Sequence, residues 1–218
     1  YQPAPDAEDF HIAMMSRKGL LPEADFYFPL PHGPLTYCTP EAVAAAVARG
    51  PDGLLDAVFD LFRAELIHLD PDYAAETGLH DATLETFSEA YFARRASVDP
   101  FTWAAANLKE AQANHAAQVT VAWRDGILRM HEIVAVIVPH LDSAEFERFS
   151  RAFKPIFVDI YAGVPHESIE RMLALHAAGR LDVIALGDDH EVDTRCPEGG
   201  ARVTIVSSDK DLMQLVND

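Results

Sequence analysis

The chain reads as an α/β protein, an α+β fragment in which a large helical insertion block is flanked by a few strands of a nucleotide-binding domain. Three observations carry this. Phe10-His11-Ile12-Ala13-Met14-Met15 is a short apolar run with the look of a buried strand, and it enters the basic turn Ser16-Arg17-Lys18-Gly19. Helical spacing then dominates from Thr39 to Arg180. Finally the period changes, and Leu181 to Gly187 and Ala201 to Ser207 read as strands, with Gly199-Gly200 turning between them. The division follows: 1–38 as a strand and Pro/aromatic loop, 39–180 as the helical block, 181–218 as a small β section with a terminal helix from Asp209 to Asp218.

Each element has a local reason. Pro22, Pro29, Pro31, Pro34 and Pro40 remove backbone donors and fix φ, so 22–40 is an extended packed loop. Its aromatics make it a wall segment or the lining of a pocket for a planar ligand. Thr39-Pro40-Glu41 offers an N-cap, a proline at N1 and acid in the first turn. The Ala-rich helix that follows stops at Gly50-Pro51. Leu54, Leu55, Val58, Phe59, Leu61, Phe62, Leu66 and Ile67 recur at helical spacing and leave Asp56, Asp60 and Arg63 outside. Asp70-Pro71-Asp72 starts a turn or helix closed near Gly78, and Thr83 to Arg95 is amphipathic. Asp99-Pro100 breaks the pattern. A helical stretch from Trp103 to His140 follows, with a bend expected at Asp125-Gly126. Ser143 is expected to cap Ala144 to Phe153, and Gly179 to end a helix over 165–178.

Composition narrows the partners. Seventeen basic against 35 acidic residues give a formal charge of −18, a field that repels phosphate backbones and anionic lipid surfaces. Neither nucleic acid nor a membrane is expected as partner. No stretch reaches the roughly 18 uncharged apolar residues of a spanning helix. Two cysteines far apart, Cys38 and Cys196, with an acidic amino-terminal stretch, fit a reducing cytoplasm.

Chemistry-bearing motifs are sparse. Neither G-x-G-x-x-G nor G-x-x-x-x-G-K-[ST] occurs, nor a G-x-S-x-G elbow. No catalytic residue is therefore assigned. His131-Glu132 and His140 are nine apart with Pro139 between, which is not zinc spacing. Gly187 to Asp193 is acidic but lacks the twelve-residue logic of a calcium loop. It reads as a solvated hairpin or strand end, with a cation on Asp188, Asp189 and Glu191 as the weaker option, and no metal site is assigned. Trp123-Arg124-Asp125 is a stacking and ion-pair feature or, as the better reading, a structural Trp anchor. Ser16, Arg17 and Lys18 carry the one sharp hint. Just past a strand of a doubly wound sheet they stand where an adenosine ribose lies, and Arg or Lys there pairs with a 2′-phosphate. The competing reading is a solvated basic turn.

Ser16-Arg17-Lys18-Gly19-Leu20-Leu21-Pro22 resembles the S-R-R-G-L-L-P segment of the bacterial FAD/NAD(P)-binding family of flavoprotein oxidoreductases. Phe157 to Pro165 resembles that family's aromatic-x-Asp…Pro stretch, and His176 to Val183 its helix, G-R-L, strand junction. The chain departs in carrying Tyr161-Ala162 where the family has Arg-His, and in lacking the Gly-rich FAD loop and an Ala-Thr-Gly segment. The resemblance implies FAD and NAD(P)H chemistry in an intact protein, with this chain an internal fragment, inactive alone and binding no cofactor by itself. Its partner would be the FAD-binding portion of its own polypeptide. The same resemblance makes Arg17 and Lys18 contacts for nucleotide phosphate, and Asp159 and Tyr161 residues lining the substrate side. The rival expectation is a helical protein-interaction module without catalysis.

Overall fold

A computed structural model of the chain describes residues 10–26 and 33–187. Two short parallel strands, β1 (Ile12–Ser16) and β2 (Leu181–Ala185), pair in register from Ile12 opposite Leu181 to Ser16 opposite Ala185. Between them in sequence lies a helical mass: α1 (Pro40–Ala48), α2 (Leu54–Leu69), α3 (Pro71–Glu76), α4 (Leu84–Ala96), α5 (Pro100–Ala117), α6 (Ala122–Ala135), α7 (Ser143–Arg148), α8 (Lys154–Tyr161) and α9 (His166–Ala177). The described residues are thus mainly helical with a small sheet. The acidic stretch from Asp188 and the strand expected at 201–207 lie outside the described residues.

The helix starts follow their caps. The Thr39 hydroxyl accepts from the Ala42 amide at 3.2 Å, with Pro40 at the first position of α1. Asp70 accepts from the Tyr73 amide at 3.0 Å, and Thr83 and Thr86 form a reciprocal capping box. α2 has no cap of its own, because Gly53 stands at its N-cap. Glu145 of α7 reaches across instead and accepts from the Leu55 amide at 3.2 Å.

Three local expectations change. Asp142, not Ser143, caps α7: its carboxylate accepts from the Glu145 amide at 2.8 Å, because the extended backbone is one residue earlier. The 103–140 stretch breaks at Gln118, in the left-handed region at φ 56°, and not at Asp125-Gly126. Gly126 lies inside α6, where α2 crosses. A β-carbon there would stand 2.6 Å from Leu69 Cδ1, so the glycine allows close helix approach rather than a bend. Third, β1 is not a buried strand: Ile12 and Met15 are exposed, as is Ile184 on β2. Among the described residues, β2 and the cluster with α5 and α9 cover only part of it, through Met14, Leu181 and Val183.

Two apolar clusters result. The larger joins α1–α4, α6, the helical turn Phe149–Phe153 and α8 around Phe59, Phe62, Phe87, Phe153 and Phe157. Their ring centroids lie 5.0 to 6.1 Å apart, largely edge to face, each such pair contributing about 0.5–1.5 kcal/mol beyond area burial. The smaller holds Leu21, Ala24, Phe101, Leu108, Ile169 and Leu181, between α5, α9 and the strands. The extended segment 21–25 is the seam. Ala24 bridges Val164 in parallel, and its amide donates to Asn107 at 2.7 Å.

Candidate functional site

The carboxyl ends of β1 and β2 meet the basic turn. The Leu186 amide donates to the Ser16 carbonyl and the Gly187 amide to the Arg17 carbonyl, both at 2.9 Å. The Ser16 hydroxyl accepts from the Gly19 amide at 3.0 Å, so it holds the turn together. Gly19 sits at φ +64°, and a β-carbon there would stand 2.7 Å from Ala185 Cβ. Both facts demand glycine. Lys18 lays its ammonium 3.0 Å from the centre of the Phe92 ring. Partial burial lowers its pKa. The Asp159 charge opposes that, while Arg17 and Arg95 add to it. Arg17 is exposed at the strand ends.

Beneath the turn lies a buried ion network. Arg95 of α4 is 4% exposed and donates to both Asp159 oxygens at 2.6 and 2.7 Å, and to the Leu21 carbonyl at 2.6 Å. The Tyr91 hydroxyl, one turn earlier, donates to Asp159 at 2.8 Å. Burial first, then the Asp159 and Glu23 charges, push the Tyr91 phenol well above its usual pKa, so it stays a donor. Glu23, 6% exposed, accepts from Arg124 of α6 and from the Trp103 indole at 3.0 Å, and lies 3.9 Å from Arg95 Nε. Burial alone would raise its pKa. The charge and hydrogen bond of Arg124, with Arg95 and Trp103, more than offset this and hold the carboxyl below its ordinary range.

Around the network is a cavity of about 30 Å³. Tyr73 and Trp123 stack in parallel at 4.2 Å on one side, and Arg124 lies over the Trp123 ring at 4.6 Å. Arg94 lies over Trp103 at 5.8 Å on the other. At about 10–15 Å³ per water-sized group the space takes roughly two such groups, far short of a nucleotide. A larger hollow of about 440 Å³ lies beside α6, lined by Pro34, Leu35, Thr39, Pro40, Arg129 and Ile133. The Pro-rich loop therefore does line a concavity.

The sequence-predicted residues divide. Ser16, Arg17, Lys18 and Asp159 come into one neighbourhood, joined through Phe92 and Arg95. Asp159 is consumed by Arg95 and Tyr91, which makes it a structural anchor of the loop rather than an open lining residue. Tyr161, two positions on and so about 200° around α8, is 52% exposed and meets the His131 ring edge at 4.6 Å. Trp123 stacks on Tyr73 while Arg124 pairs with Glu23, so the stacking and ion-pair alternative for this motif is met. Glu23, Arg95, Tyr73 and Trp103 are site residues that sequence reasoning passed over. The available signal was Arg95 at i+4 from Tyr91 and i+8 from Phe87, a cation on an apolar helix face.

The cofactors implied by the resemblance find limited purchase. The cavity does not admit FAD or NAD(P), while Arg17 of the turn is exposed. Among the described residues no group of three or more His, Cys, Asp or Glu side chains is placed to hold a metal, and no helix is long and apolar enough to cross a membrane. Cys38 is buried, its thiol pushed up to about 12 by burial and the Glu65 charge, which makes it a poor nucleophile.

Comparison with known proteins gives a family and no more. No solved structure matches the chain. It is 44% identical over 187 residues to a protein of Escherichia coli (strain K12) named "Uncharacterized protein YdhS", an alignment covering 86% of the chain and 35% of that protein's length. The family model described as "YdhS-like middle domain" matches residues 39–161, from the N-cap of α1 to the last residue of α8. That segment exceeds half of the chain, and the chain belongs to the YdhS-like middle domain family.

Proposed function

We propose that the chain is the NAD(P)- and substrate-side portion of a bacterial FAD/NAD(P)-dependent flavoprotein oxidoreductase, acting only with the rest of its polypeptide. One observation supports this most. A basic turn closes the carboxyl ends of two parallel strands, the place where open α/β sheets bind their ligands. Arg17 is the residue offered to a nucleotide phosphate, Ser16 and Gly19 shape the turn, and Lys18 braces it against Phe92. A bound flavin would supply the hydride chemistry. The chain's own work is to hold the turn, through Arg95, Asp159 and Glu23, against the helical block.

The test uses the full-length protein. It is expected to purify with flavin and to reduce it with NADPH, and Arg17→Ala is expected to weaken NADPH binding about tenfold. A full-length protein that carries no flavin and binds neither nucleotide overturns the proposal. The exposed Ile12, Met15 and Ile184 also suit the rival reading of an interaction module, and flavin content separates the two.

A further inference from the structure

Tyr73 and Arg95 both line the small cavity. The Tyr73 hydroxyl and Arg95 Nε are buried and have no hydrogen-bond partner among the described residues. Tyr73 is only 6% exposed, and Arg124 and Arg94 are the cations that act on its phenol, against Glu23 and Glu76. Burial dominates and raises its pKa, so the group remains a protonated donor. A buried donor without an acceptor is destabilising, so both favour an acceptor in the cavity.

Charge sets the kind of acceptor. Within the network Glu23 and Asp159 balance Arg124 and Arg95. Arg94 remains as the outer cation. Its ion pair with Glu76, at 3.5 Å between two half-exposed side chains, is of the weak surface kind. A monoanion therefore takes the place of Glu76 on Arg94, and a dianionic phosphate would leave the site net negative. Aromatic walls from Tyr73, Trp123 and Trp103 suit a short apolar stem behind the charge.

We propose that this cavity is a binding site for a small monocarboxylate, its oxygens accepting from the Tyr73 hydroxyl and Arg95 Nε, with Arg94 closing over them. The proposal is independent of the nucleotide reading, because it needs neither flavin nor NAD(P). Both tryptophans of the chain, Trp103 and Trp123, line the cavity, so intrinsic fluorescence reports occupancy directly.

The experiment titrates the chain with sodium acetate and, separately, with sodium chloride at matched ionic strength. Acetate is expected to give a saturable change in tryptophan emission that chloride does not. Arg94→Gln, at a half-exposed position, and Tyr73→Phe are each expected to weaken it about tenfold while circular dichroism shows unchanged helicity. An acetate trace identical to chloride overturns the proposal. So does a saturable response that is equal in the wild type and both folded variants. Neither failure bears on flavin content of the full-length protein, so the two proposals fall separately.

Discussion

The two apolar clusters are built by opposite means. The helical cluster is closed: Phe62, Phe87 and Phe153 are fully buried, and every side of the aromatic group meets another helix. The strand cluster is open: Leu181 and Ile169 are buried, yet Phe10, Ile12, Met15 and Ile184 stand at the surface within the same layer. Helices satisfy their backbone internally and need only cover one stripe. A parallel strand needs neighbours at both edges and cover on both faces. Stability is therefore concentrated in the helical block, and the strand end, where the basic turn sits, is held by specific contacts more than by bulk burial.

Phe62→Ala breaks this comparison hardest. It removes the ring at the centre of the aromatic group, and the loss is expected to be about 3–5 kcal/mol in urea unfolding. A loss under about 1 kcal/mol would show that the helical cluster does not carry the fold. Gly19→Ala probes the other region. Left-handed backbone costs about 1–2 kcal/mol for a residue with a β-carbon, and the contact with Ala185 adds to it. The expected loss is about 2 kcal/mol, with amide exchange quickened at Leu186 and Gly187 while the helical amides keep their protection. Equal quickening in the helices would mean that the two regions unfold as one.

The smallest effect lies at the seam. The Glu23 pKa is held below its ordinary 4.5, so its contribution is present above about pH 4.5 and is lost as pH falls through the folded value. Urea midpoints measured from about pH 6 down to about pH 3 are expected to fall, and Glu23→Gln to flatten part of that limb. Glu85, held low by Arg148, and Asp99, held low by Thr102, act in the same direction. An unchanged acid limb in Glu23→Gln would remove Glu23 from the seam's ion network.

Much of the helical block was legible. Thr39, Asp70 and Thr83 announce their helices, because a cap is a contact between residues three apart. Leu84, Phe87, Tyr91 and Phe92 name the buried face of α4 by period alone. The failures share a cause. Gly126 looked like a bend and serves instead a crossing with Leu69, a partner 57 positions away. Asp159 stood out only through a resemblance, as a residue of the substrate side, and its hold by Arg95, from another helix, is visible only in the fold.

By itself the sequence determined the basic turn and the helix starts at Thr39, Asp70 and Thr83, since each depends on neighbours a few positions apart. Only the tertiary structure decided that β1 pairs in parallel with β2, that Glu23, Arg95, Arg124 and Asp159 form one buried network, and that Tyr73 and Arg95 leave two donors facing a small cavity. Those arrangements join residues from about 20 to about 170 positions apart. Burial gives them their chemistry, because a charge or a hydroxyl gains a shifted pKa or an unmet bond only when distant elements close around it.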